Sequence, residues 1–230
     1  MEQEIKQIDR GWLEGAAKTI TFIVTKDCQL ACKYCYLVGK NENERMSIET
    51  AKAAVDYILD TRDFFNEESV IWEFIGGEPF LEIDLIDNIC DYIKTQMFVK
   101  NHHWFNSYRF NFATNGINYN SSKVQNFIKK NWTHLSIGIT IDGTKIKHDL
   151  NRVYKNSEKG SYDDVVLNIP LWLNQFPTSG TKVTISSPDI PYMKHHVLLS
   201  DSVRRPIRFR PPPNQIPYAA RSDGVRCTMT

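Results

Sequence analysis

Cys28-Gln29-Leu30-Ala31-Cys32-Lys33-Tyr34-Cys35 places three cysteines within eight residues, after the apolar run Thr19-Ile20-Thr21-Phe22-Ile23-Val24. The run reads as a buried strand, and the cysteines as the loop that leaves its C-terminal end. Three thiolates on one short loop can hold three irons of a cubane cluster, whereas an electron carrier supplies four cysteines. The fourth iron is then open, and the amino group and carboxylate of a methionine-type ligand can chelate it. A structural zinc site is the other chemistry for clustered thiols. It asks for a fourth ligand and usually for two Cys-x-x-Cys halves.

Outward from this loop, apolar runs alternate with helical patterns. Ser47 is a candidate N-cap for a helix whose buried face is Ile48, Ala51, Val55, Ile58 and Leu59. Val70–Ile75 reads as strand two and stops at Gly76-Gly77-Glu78-Pro79, after which Leu85, Ile86, Ile89 and Ile93 mark a second helix. Arg109–Ala113 reads as strand three, ended by Thr114-Asn115-Gly116, with a third helix through Val124, Phe127 and Ile128. Leu135–Ile141 is strand four, closed by Asp142-Gly143. A helical stretch through Val165, Val166 and Ile169 follows, which Pro170 is expected to kink or end, and Lys182–Ile185 is strand five. Such alternation predicts an α/β fold: a parallel sheet with right-handed crossovers and chemistry gathered at the C-terminal strand ends. Each polar or glycine motif starts where a strand run stops.

The chain has 230 residues, 41% hydrophobic and 24% charged, with net charge +1, so nothing in the overall balance argues for nucleic acid or an anionic membrane as partner. The first residues are charged and lack an apolar signal core, and no run approaches the ~18 apolar residues of a spanning helix. Five cysteines, three clustered and Cys90 and Cys227 apart, are not a disulfide framework. The expected setting is the reducing cytoplasm.

Cys-x-x-x-Cys-x-Tyr-Cys after a strand resembles the signature of the radical S-adenosylmethionine enzymes. The resemblance implies a [4Fe-4S] cluster on Cys28, Cys32 and Cys35 and S-adenosylmethionine as second cofactor. It also implies a 5'-deoxyadenosyl radical that abstracts a substrate hydrogen, and an external electron donor such as flavodoxin or ferredoxin. The fold it implies is a partial (β/α)6 parallel barrel, here incomplete, with about five βα units. Tyr34 takes the position that lies against adenine in that family, and Gly76-Gly77-Glu78 the motif that receives the methionine amino group. Glycine lets backbone approach there without a side chain in the way. Thr114, Asn115, Thr140 and Asp142 are candidates for the ribose hydroxyls, with Thr140 where the family usually has serine. Arg152 matches the position that pairs with the methionine carboxylate, a task suited to guanidinium geometry. The alternative for Tyr34 is packing under the loop, and for Asp142 and Arg152 a structural salt bridge or turn cap. His148 is expected to orient a loop. The string Ile141–Asp149, Asn151-Arg152 and Gly160-Ser161-Tyr162-Asp163 is similar to peptide and protein maturases, which implies a peptide or small protein as substrate.

Three segments result: a lead at 1–18, a core domain at 19–190 and a tail at 191–230. The tail changes character, with net charge +5 against −4 for the rest and six of the ten prolines, including Pro211-Pro212-Pro213. Proline removes ladder donors and helix bonds, so this run is expected to be irregular and to leave strand five as an edge. Two origins stand open for it, a basic arm or a stretch that is not the native continuation of the barrel. In the second case the chain is a truncated, inactive fragment. A zinc-binding or interaction module is the remaining alternative.

Overall fold

A computed structural model describes residues 17–37, 44–185 and 226–229. The expected lead, apart from Ala17 and Lys18, positions 186–190 of the expected core domain, and positions 191–225 and 230 of the tail lie outside these described residues. The elements in order are β1 (Ala17–Thr25), α1 (Ile48–Asp60), β2 (Ser69–Gly76), α2 (Ile83–Val99), β3 (Tyr108–Thr114) and α3 (Ser122–Asn131). They continue with β4 (Leu135–Ile139), α4 (Lys145–Asn151), α5 (Tyr162–Val166), α6 (Ile169–Gln175), β5 (Lys182–Ile185) and β6 (Arg226–Met229). One sheet has the order β1-β2-β3-β4. β1 and β3 both run parallel to β2, with Thr21 opposite Glu73 and Glu73 opposite Asn111. This is the α/β arrangement expected for the fold.

The chain divides into two compact units. The first holds Met1–Asp27, Glu42–Phe112 and Ser122–Ser136; the second holds Cys28–Asn41, Ala113–Ser121 and Ile137–Thr230. In the first unit the buried face of the sheet is aromatic and aliphatic: Phe22 and Val24 on β1, Trp72 and Phe74 on β2, Phe110 and Phe112 on β3. The rings run across the strands, Phe22 on Phe74 at 5.6 Å and Phe74 on Phe112 at 5.3 Å between centroids. Helix α1 begins where Ser47 accepts a hydrogen bond from the Thr50 N–H, and it buries Ala51, Val55 and Leu59. Helix α2 buries Ile86, Ile89, Cys90 and Ile93 on one face, as 3.6-residue spacing dictates.

In the second unit strand pairing continues past the named strands. The Thr140 N–H donates to the Thr114 carbonyl at 3.0 Å and the Ile141 N–H to the Lys182 carbonyl at 2.9 Å. Pro170 does not end a helix; it sits in the first turn of α6, after α5 has closed at Val166, because a missing N–H costs nothing in an opening turn. Nor is β5 left as an edge, since β6 runs parallel to it with Lys182 opposite Arg226 and Ile185 opposite Met229. Arg226-Cys227-Thr228-Met229 contains no proline, so its ladder donors are intact.

Candidate functional site

The cysteine loop is docked by backbone. The Ala31 N–H donates to the Val153 carbonyl at 2.8 Å, Lys33 N–H to Asn151 at 3.0 Å and Lys155 N–H to Gln29 at 2.8 Å, with Leu30 antiparallel to Tyr154. Leu30 is fully buried and pins the loop's middle. Cys28, Cys32 and Cys35 are free thiols, Cys28 buried and the other two half-buried. The Cys28 sulfur accepts from the Leu30 N–H at 3.3 Å and from Asn115 Nδ2 at 3.8 Å. Asn115 is fixed in turn, its Oδ1 accepting from the Ile117 N–H at 2.9 Å and its Nδ2 donating to Gln29 Oε1 at 3.1 Å. N–H donors of this kind favour a thiolate and are a lever on the potential of any cluster it ligates.

Beside the loop lies a buried polar chain that the sequence does not announce. The Tyr34 hydroxyl donates to Asp142 Oδ2, and Arg152 Nη1 donates to the Tyr34 hydroxyl at 2.8 Å. Asp142 Oδ1 accepts from the Thr184 N–H of β5 at 2.9 Å. Arg152 is buried, and its Nε has no hydrogen-bond partner among the described residues. Burial works against the guanidinium charge, but Tyr34, Cys32 and Asp142 more than offset that and hold its pKa above the ordinary arginine value. Burial, seconded by Asp142, pushes the Tyr34 phenol up, while Arg152 opposes it. Asp142, expected to reach a ribose hydroxyl, thus has both carboxylate oxygens engaged by protein. Tyr34, expected against adenine, has its hydroxyl engaged too.

His148 completes the chain. Its Nδ1 accepts from the Asp142 N–H at 3.3 Å, so its Nε2 carries the proton and meets the Ser161 hydroxyl at 3.0 Å, which donates to the Arg152 carbonyl at 2.9 Å. The neutral ring therefore ties the Asp142 N–H to the Ser161 hydroxyl. Burial first, then Arg152, depress its pKa to about 4, with Asp142 and Asp149 opposing and Lys145 assisting. An unfolded His148 protonates below pH ~6.5 while the folded one does not, so stability falls as the pH drops from ~6.5 towards ~4. The full loss is about 3 kcal/mol. Denaturant titrations at pH 7 and pH 5 are expected to give a smaller pH-dependent loss for His148→Gln than for the parent; equal losses would contradict the assignment. Helix α4 and the contact of Ser161 with His148 are not among the sequence-based expectations. The signal for α4 was Thr144, whose hydroxyl accepts from the Lys147 N–H at 3.2 Å as an N-cap.

The other expected residues fall as follows. Thr114 is buried, its hydroxyl accepting from the Gly116 N–H at 3.0 Å; Thr140 is half-buried at the end of β4. In the first unit the Gly77 N–H donates to the Thr25 carbonyl and the Glu78 N–H to the Asp27 carbonyl, both at 2.8 Å. Gly76 has φ +151°, and a Cβ on Gly76 or Gly77 would lie 2.3 Å from the Thr25 oxygen or 2.0 Å from the Asp27 oxygen. Only glycine lets this backbone pair so closely with the residues that lead into Cys28. Glu78 is buried, its Oε1 capping the Phe80 N–H at 3.1 Å.

Among the described residues no three His, Cys, Asp or Glu side chains converge as ligands of a single metal ion. A cubane puts each thiolate on a different iron and does not ask for that convergence. Three free thiols, N–H donors on Cys28 and an unmatched buried Arg152 Nε fit a cluster with an anionic ligand beside it.

A family described as "4Fe-4S single cluster domain" matches residues 13–166. An uncharacterised protein of Methanocaldococcus jannaschii is 32% identical over 188 residues, 78% of this chain and 57% of that one. A cysteine-type anaerobic sulfatase-maturating enzyme of Clostridium novyi is 29% identical over 164 residues, 70% of this chain and 41% of that one. The fold is similar to that of native anSMEcpe with bound AdoMet and Cp18Cys peptide, with TM-score 0.62 and 18% identity over 81% of this chain and 47% of that one. The chain thus spans about half the length of these relatives.

Proposed function

The chain belongs to the family of 4Fe-4S single cluster domains, of the radical S-adenosylmethionine type, and from that premise we propose that it is the radical-generating domain of an enzyme that modifies a peptide or small protein. The observation that carries this reading is the loop of three free thiols whose first sulfur is met by two N–H donors. When bound and reduced, a [4Fe-4S] cluster at Cys28, Cys32 and Cys35 supplies the electron that cleaves S-adenosylmethionine to a 5'-deoxyadenosyl radical, which takes a hydrogen from the substrate.

This chain's residues hold and orient. Arg152, with a buried donor to spare, is assigned to the methionine carboxylate, and Gly76, Gly77 and Glu78 to its amino group. Thr114, Asn115 and Thr140 are assigned to the ribose side, while Asp142 and Tyr34 position Arg152. Similarity to a sulfatase-maturating enzyme supports the peptide substrate. The electron comes from an external one-electron donor such as flavodoxin or ferredoxin, in a reducing cytoplasm that keeps thiols free. Among the described residues no helix is long and apolar enough to cross a membrane.

Anaerobic reconstitution with iron and sulfide tests the reading. About four irons per chain are expected, together with 5'-deoxyadenosine once dithionite and S-adenosylmethionine are added. A colourless chain that takes up zinc instead would sink it.

A further inference from the structure

In the first unit, helices cover one face of β1, β2 and β3 and bury Phe22, Trp72, Phe74 and Phe112; the residues between them point to the opposite face. There the alternation predicts small or aliphatic side chains, and Ile23, Ile71 and Ile75 obey. Glu73 does not. It stands in an interior strand, where glutamate is a poor strand former, and it is only half-buried.

Its carboxylate is nonetheless held in place. Thr21 Oγ1 donates to Oε2 at 3.1 Å from β1, and Asn111 Nδ2 donates to Oε1 at 2.9 Å from β3, each from the residue directly opposite in register. Both donors are neutral. Among the described residues no lysine or arginine forms an ion pair with Glu73. Arg109, the cation placed on that face opposite Ile71, has an interaction of its own. Two neutral hydrogen bonds use about half of a carboxylate's acceptor positions. A fixed carboxylate with spare lone pairs and no ion-pair partner among the described residues, flanked by isoleucines, is complementary to an ammonium or guanidinium on an aliphatic stem.

We infer that Glu73, held by Thr21 and Asn111 on the sheet face opposite the helices, receives a basic side chain of the peptide substrate. The inference rests on the peptide-modifying reading and deepens it from "a peptide" to a peptide with lysine or arginine near the modified residue. Thr21 and Asn111 are positioning residues, because they set the carboxylate's direction without meeting the substrate's charge.

The test uses short fluorescein-labelled peptides, identical except for one central Lys, Arg, Gln or Glu, bound to the reconstituted chain and read by fluorescence anisotropy. The Lys and Arg peptides are expected to bind about tenfold more tightly than the Gln peptide, one charge-assisted contact's worth, roughly 1.4 kcal/mol. The Glu peptide is expected to bind most weakly. Glu73→Gln should erase the preference and Glu73→Asp should keep part of it. In the parent the Lys-over-Gln preference should shrink as salt is raised, a measurement that needs no folded variant. Equal binding of all four peptides, no binding of any, or a preference that survives Glu73→Gln overturns the inference. Iron content and 5'-deoxyadenosine formation, measured on the same preparation, separate the two readings. A chain that cleaves S-adenosylmethionine without a basic preference loses only the Glu73 assignment. A Glu73-dependent preference in a chain that takes no iron upholds the charge recognition and removes the radical chemistry.

Discussion

Alanine at Cys28, Cys32 or Cys35 is expected to cut the iron taken up on anaerobic reconstitution from about four per chain to below about one. Each thiolate holds a different iron, so losing one leaves two corners without protein ligands, and water does not replace a thiolate on a soft metal. The three replacements should differ in their effect on the chain itself. Cys28 is buried and its sulfur accepts from the Leu30 N–H and from Asn115 Nδ2, so Cys28→Ala leaves the buried Leu30 N–H without that acceptor as well as removing a ligand. Cys32 and Cys35 are half-buried and should cost little stability without cluster. Cys90→Ala is the control. Cys90 is fully buried in α2, and burial pushes its thiol well above the ordinary value, so it stays protonated and is no ligand. Its replacement should open a small cavity and leave iron content unchanged. Full cluster in any of the three variants, by iron and sulfide analysis, would remove that cysteine from the ligand set.

How much of this was legible in the sequence follows from the range over which each feature is encoded. Cys28, Cys32 and Cys35 sit within eight residues, and Ser47 with its apolar face is local too, so motif and helix were readable directly. Strand β3 was readable because buried and open residues alternate strictly through Tyr108–Thr114, and β1 and β2 because their apolar runs alternate around Phe22, Trp72 and Phe74. Pro170 was misread because the same ring that breaks a helix interior suits a helix start, and only the chain's path decides between them. Strand β6 was missed because four residues after a proline-rich run carry almost no period. The Tyr34, Asp142 and Arg152 chain joins positions 108 and 118 residues apart. Each residue had a plausible cofactor role alone. Only the fold reveals that they spend their polar atoms on one another, and Glu73 became conspicuous only once its register partners were known.

That chain makes the second large effect predictable. Asp142→Ala removes the acceptor of the Tyr34 hydroxyl and of the Thr184 N–H and takes away one of the groups that favour the charge of the buried Arg152. Breaking a buried charged group's network by deleting one member costs about 3–5 kcal/mol, because the remaining charge and donors stay desolvated. Tyr34→Phe keeps both charges and deletes one bridging hydroxyl, so it should cost about 1–3 kcal/mol. Both are read by denaturant unfolding of the unreconstituted chain under reducing conditions, where no cofactor contributes. The order matters more than the values. If Asp142 served only a ribose hydroxyl, Asp142→Ala would leave the unfolding midpoint alone and weaken only S-adenosylmethionine binding. As the anchor of Tyr34 and of β5, it must instead lower the midpoint before any cofactor is present. Cofactor affinity should then fall in parallel in Asp142→Ala and Tyr34→Phe, because both release Arg152 from the position its buried Nε requires. An unchanged midpoint in Asp142→Ala would return that residue to the ribose and leave Arg152 held by other groups.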